Sequence, residues 1–149
     1  MPNNLEASID IAASPEKVWS IIADLNRMSE FSPTTVKMVA LGGIREGART
    51  VNLNKDGWRI WPTTSRIVRL VPNTALAFRM NENRTVWSYE LAPTAAGTRV
   101  VERRTLGPKG LPGWMGPVVK VSGGEQKFEA DLVAGMHETL RKIKAAAES

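Results

Sequence analysis

Residues 85–105 read TVWSYELAPTAAGTRVVERRT, and the folding of this stretch decides how the rest of the chain is arranged. From Thr85 to Leu91, large apolar residues alternate with small or polar ones, and a second alternating run follows Gly97. A period of two is the pattern of a strand with one buried face, and Ala95-Ala96-Gly97 supplies a turn between the runs. The stretch is therefore predicted to be an antiparallel hairpin. If Trp87, Tyr89 and Leu91 face the interior, Val100 and Glu102 face it too, which puts a carboxylate among aromatic rings.

An unpartnered carboxylate in such surroundings is costly to ionise. Glu102 is expected either to keep its proton through a raised pKa or to meet a donor such as an Arg, Asn or Trp side chain. The first outcome makes it a candidate general acid or base, and the second a structural pair. Both remain open at this level.

Upstream, Gly42-Gly43, Gly47, Asp56-Gly57 and Pro72-Asn73 cut residues 35–105 into short segments rich in Val, Ile, Thr, Trp and Phe. About six consecutive antiparallel strands fit there. Leu5 to Ile11 alternates as a further strand, making about seven. Between them, Ser14-Pro15-Glu16-Lys17 carries helix-start chemistry: a capping serine, proline at the first helical position and an acidic first turn. A second short helix is expected over Arg27–Phe31, ending before Pro33. After the strands, the run from Leu106 to Pro117 is dense in Gly and Pro and reads as a long loop or broken helix. Phe128, Leu132, Met136, Leu140 and Ile143 then recur at helical spacing, predicting a long C-terminal helix with one face on the sheet. Its Ala-rich last turn, with Glu148 and Ser149, is expected to fray.

The chain has 149 residues and no cysteine, a length that suits one domain over 1–149 with a sizeable core. The absence of cysteine excludes disulfides and thiolate chemistry and fits a reducing cytoplasm. No apolar run approaches the roughly 20 residues of a membrane-spanning helix. A formal net charge of +5 invites a nucleic-acid partner, but the basic residues are spread along the chain, with Arg103-Arg104 and Arg141-Lys142 the only adjacent pairs, so no specific nucleic-acid binding is expected.

The order strand, two short helices, strands, loop and long helix accompanies recognisable residues. These are Ser14-Pro15-Glu16-Lys17-Val18-Trp19 with Asp24, the segment Trp58 to Ile67, Trp87-Ser88-Tyr89-Glu90-Leu91, and Gly97-Thr98-Arg99-Val100. Together they resemble the START/Bet v 1-like (SRPBCC) superfamily, and within it the bacterial polyketide cyclase/dehydrase and lipid transport group. The resemblance implies an α+β helix-grip fold, in which a curved sheet of about seven antiparallel strands wraps a long C-terminal helix and leaves a cavity between them. It also places Trp61 inside and the Gly/Pro-rich loop at the cavity mouth.

Candidate ligand-binding residues are Trp61, Phe78, Trp87 and Tyr89 among the aromatics, with Val100, Glu102, Met136 and Leu140. Apolar pockets with few polar groups are lined by such residues, although plain core packing uses the same set. Met28, Phe31, Trp114 and Met115 are candidates for the mouth. His137, the only histidine, is a weak candidate for proton transfer beside Glu102. Asn52 and Asn54 share one strand face, either cavity or solvent.

No phosphate-binding glycine loop, dinucleotide fingerprint, nucleophile elbow or metal-ligand spacing is present, so neither a cofactor nor a metal is expected. The leading expectation is binding or transport of a small hydrophobic molecule such as a lipid, polyketide or aromatic metabolite. A cyclase or dehydratase using Glu102 or His137 is the second expectation. A regulatory or toxin–antitoxin interaction protein with a protein partner is the third.

Overall fold

The computed structural model describes residues 4–106, 113–121 and 123–149. Strand β1 (Leu5–Ile11) leads to α1 (Pro15–Ile22), a 3-10 turn (Leu25–Arg27) and α2 (Met28–Phe31). Six strands follow: β2 (Thr35–Ala40), β3 (Arg49–Asp56), β4 (Arg59–Val71), β5 (Ala75–Met80), β6 (Thr85–Thr94) and β7 (Gly97–Leu106). Helices α3 (Met115–Val121) and α4 (Glu125–Glu148) end the chain. All neighbouring strands are antiparallel, in the order β1-β7-β6-β5-β4-β3-β2. This is the seven-stranded curved sheet and long helix of the helix-grip fold.

The hairpin read from residues 85–105 is β6–β7, with Tyr89 opposite Glu102 and Leu91 opposite Val100. Tyr89, Leu91, Val100 and Glu102 are all buried, so the predicted face is correct. Gly97 is required at the start of β7 because a Cβ there would lie 2.2 Å from the Ile11 carbonyl oxygen and 2.8 Å from the Ala13 nitrogen. The tight approach joins the last strand to the first. Thr98 seals the junction by donating its hydroxyl to the Ala13 carbonyl at 2.7 Å.

Helix α1 starts as its sequence requires: the Ser14 hydroxyl accepts the Lys17 N–H at 3.2 Å, and Pro15 occupies the first helical position. Val18, Ile21 and Ile22 form its buried face. Helix α4 packs on β1, β7, α1 and α2, burying Met136, Leu140, Ile143 and Ala147. Full burial of one Leu or Ile side chain contributes roughly 1.5–3 kcal/mol, which holds the helix in the grip of the sheet. The expected fraying of its last turn is not observed. Ala147 is completely buried, the Ala12 N–H donates to Glu148 Oε2 at 2.7 Å, and Lys144 pairs with the same carboxylate. These tertiary contacts tie down a terminus that its Ala-rich composition alone leaves loose.

Two polar groups in the helix stripe escaped the apolar periodicity. Glu129 is buried against Arg104 of β7, with Arg104 Nη2 3.3 Å from Glu129 Oε2, and Thr139 donates to the Gly135 carbonyl at 2.9 Å. Among the described residues, no helix is long and apolar enough to cross a membrane.

Candidate ligand cavity

A cavity of about 270 Å³ lies between the inner face of β2–β7, the segment after α2 and the first half of α4. Cross-strand register builds its aromatic wall, because Phe78 pairs with Trp87 and Tyr89 with Glu102 on adjacent strands. Met28, Met38, Met80 and Met136 line it from four different elements, giving an adaptable apolar surface. Gly135 of α4 lies close to the segment after α2, since a Cβ there would be 3.6 Å from the Pro33 ring.

The opposite wall is polar. β3 turns Thr50, Asn52 and Asn54 inward and Val51 and Leu53 outward, the reverse of a hydrophobic-in pattern. The inward groups satisfy one another. Thr50 donates to Asn52 Oδ1 at 3.0 Å, Asn52 and Asn54 donate to Thr63 Oγ1 at 3.3 and 2.9 Å, and the Thr50 and Ser65 hydroxyls are hydrogen-bonded. Asn54 also donates to the Trp61 carbonyl at 3.2 Å. The two asparagines therefore face the cavity.

Glu102 is the single carboxylate on the sheet side of this space. The Tyr89 hydroxyl donates to its Oε2 at 3.2 Å, while its Oε1 has no hydrogen-bond partner among the described residues. Burial raises its pKa from the ordinary 4.5 to about 8, and the tyrosine hydrogen bond only partly opposes the rise. Glu102 is thus a neutral acid at pH 7. Burial, together with the neighbouring carboxyl, holds Tyr89 well above the ordinary phenol range, so it keeps its proton as well. With the Tyr89 hydrogen occupying Oε2, the acid proton on Oε1 is an unused donor.

Residues 3–148 match the sequence family described as polyketide cyclase/dehydrase and lipid transport. The chain belongs to that family. Among solved structures, the di-domain aromatase/cyclase StfQ of the steffimycin biosynthetic pathway is similar at a TM-score of 0.78 and 15% identity. The match covers 97% of this chain and 50% of that one, so this chain spans half the length of StfQ. The Zhui aromatase/cyclase from a Streptomyces strain has a TM-score of 0.71 and 19% identity, over 98% of this chain and 93% of that one. A polyketide-cyclase-like protein of Corynebacterium glutamicum has a TM-score of 0.69 and 27% identity, over 99% and 94%. No curated protein matches this chain.

Within this family member, Phe78, Trp87, Tyr89, Glu102 and Met136 come together around the cavity, with Met28 beside them. Trp61 also lines it and is 40% exposed, which places it at the rim. Other candidates lie elsewhere. Val100 and Leu140 are completely buried in the core and do not line the cavity. Phe31 is buried with the Arg27 guanidinium 5.3 Å from its ring centre, Trp114 is exposed, and Met115 is buried away from the cavity. The loop expected at the mouth falls largely on residues 107–112, outside the described residues.

His137 is exposed on the outer side of α4. Successive helical residues are rotated by about 100°, so with Met136 facing inward its neighbour points away. Sequence reasoning missed Met38, Asn83 and Thr139, which line the cavity together with Met80 and Thr63. The alternation of Thr63 with Trp61 was a usable signal. For Met38 the strand pattern was obscured by a register shift between Thr35 and Lys37. No cluster of potential metal ligands occurs among the described residues.

Proposed function

We propose that the protein binds a small, predominantly apolar molecule, with a carbonyl or ether oxygen accepting the proton of Glu102. The observation that carries this reading is the buried Glu102 Oε1, which has no partner among the described residues and sits on the side of the cavity lined by aromatic rings and methionines. A buried polar group without a partner costs roughly 1–3 kcal/mol. A ligand acceptor recovers that loss as binding free energy. The amides of Asn52 and Asn54 offer a second polar contact at the opposite wall, which suits a molecule polar at both ends. At about 270 Å³ the cavity is near the lower end of small-molecule pockets, roughly 300–1,000 Å³, and suits a compact ring system better than a long acyl chain.

The test is non-denaturing mass spectrometry of the purified protein, followed by extraction and identification of any bound molecule. A one-to-one adduct bearing a carbonyl or ether oxygen supports the reading. Failure of a panel of lipid and polyketide-like aromatic ketones to bind refutes it. Binding of a neutral ketone is expected to hold up to about pH 8 and then weaken about tenfold per pH unit as Glu102 ionises.

One observation favours a second reading, in which the same acid takes part in a cyclisation or dehydration. With a pKa of about 8, Glu102 is matched to proton transfer near neutral pH. It would protonate a substrate oxygen and take a proton back as product forms, leaving the carboxyl unchanged. Glu102→Gln retains an amide donor but cannot exchange this proton. Loss of turnover with retained binding supports catalysis, whereas undiminished turnover refutes it.

A further inference from the structure

The outer face of the sheet is built in two unlike halves. On β1, β7 and β6 its arginines are matched with carboxylates: Arg99 pairs with Asp10 at 2.9 Å, and Arg103 with Glu6 at 2.7 Å and with Glu90. On β3, β4 and β5 the register instead aligns Arg49 with Arg66 and Arg66 with Arg79, a cross-strand row of three exposed arginines. None of the three has an ion-pair partner among the described residues. The bordering carboxylates are already used, Glu82 by the Thr64 N–H and hydroxyl and Glu46 by the Leu70 N–H. Like charges directly opposite on adjacent strands are destabilising.

From this row to the β3–β4 turn, about 20 Å along the strands, the same face is mostly apolar, with Thr64 opposite Val51 as a polar member. Val51, Leu53 and Ile60 are 45%, 38% and 60% exposed. At the turn, Gly57 takes a φ of 64° and Trp58 projects with 90% of its surface exposed. Lys55 is exposed beside this apolar end, and Lys37 lies opposite Leu53. Trp61, on the cavity rim, is three residues beyond Trp58.

We infer that the outer face of β3–β4, with the Arg49/Arg66/Arg79 row and Trp58, docks on an anionic lipid surface. Interfacial binding combines apolar insertion with attraction of basic side chains to anionic headgroups, and tryptophan is favoured at the water–lipid boundary. A second copy of the chain is a poor occupant, because in a two-fold contact each arginine row meets the same face of its partner, whose β3–β4 strand positions carry, beside the arginines, Lys55, Thr64 and apolar side chains and no carboxylate. Exposed aliphatic side chains give nothing to a nucleic-acid backbone. The choice of lipid rests on the proposed function: an apolar ligand dissolves in a bilayer, and this hairpin brings the cavity rim to one.

The test is co-flotation with phosphatidylcholine vesicles, with and without about one-third phosphatidylserine. The protein is expected to float with the anionic vesicles only, and to be released by salt. Arg49→Ala, Arg66→Ala and Arg79→Ala are each expected to weaken binding about fivefold, and Trp58→Ala to weaken it further. All four residues are exposed, and a thermal melt confirms that each variant is folded. Absence of vesicle binding, equal binding to neutral vesicles, wild-type binding by the variants, or preference for an acidic protein or RNA would overturn the proposal. A fluorescent apolar probe titrated without vesicles reads the cavity separately, so failure of the docking face and failure of the ligand-binding reading are distinguishable.

Discussion

Replacing Glu102 with Gln should change the pH dependence of stability more than any other single substitution in the cavity. In the unfolded chain this carboxyl ionises near 4.5, and in the folded protein near 8. Between these values the unfolded state has released a proton that the folded state retains, so folding is progressively disfavoured as pH rises. The loss begins near 4.5 and is complete above about 8. At about 1.4 kcal/mol per pH unit, it reaches about 3 kcal/mol at pH 7 and about 5 kcal/mol above pH 8. Gln is nearly isosteric with the protonated acid and does not titrate. Wild type and Glu102→Gln should therefore be similarly stable near pH 4.5, and the variant should become the more stable one as pH rises. Urea unfolding followed by circular dichroism from pH 5 to 9 measures the gap. Parallel stability curves over this range would show that Glu102 is not a buried neutral acid.

Three further outcomes follow from the packing. Trp87→Ala removes a half-buried ring from the cavity wall and should destabilise the fold by about 2 kcal/mol, below the range for fully buried aromatics, while weakening uptake of a fluorescent apolar probe; denaturation and probe titration check the two effects. Gly97→Ala places a methyl against the Ile11 carbonyl at a distance no real contact tolerates, so a loss on the order of 3 kcal/mol is expected in chemical denaturation. Arg104→Met leaves the Glu129 carboxylate in a buried setting without the guanidinium that faces it, and should cost about 3–5 kcal/mol. In a double-mutant cycle, adding Glu129→Gln should recover part of that loss.

The architecture was legible because the segments that define it have one clearly apolar face. Tyr89, Leu91 and Val100 alternate cleanly, and Met136, Leu140 and Ile143 fall on one helical stripe, so the hairpin and the gripped helix could be placed from residue periodicity. The inward position of Glu102 followed from the same alternation. β3 resisted this reading for a physical reason. Its exposed side carries Val51 and Leu53 while its inner side carries hydrogen-bonded Asn52 and Asn54, so hydrophobicity points to the wrong face and only cross-strand partners such as Thr63 determine the register. Val100 and Leu140 show a second limit. Periodicity identifies the buried side of an element, but whether a buried residue borders a cavity or fills the core depends on what packs opposite it. His137 shows a third, since a residue adjacent to an inward-facing one on a helix is rotated towards a different side.

The methionines allow the most direct measurement of ligand binding. Met28, Met38, Met80 and Met136 line the cavity, while Met115 is buried elsewhere. With methyl-labelled methionine, nuclear magnetic resonance spectra recorded during titration with an apolar aromatic ketone should show saturable shifts at those four methyls and none at Met115. Unchanged spectra, or shifts centred on Met115, would contradict a ligand site between the sheet and the long helix.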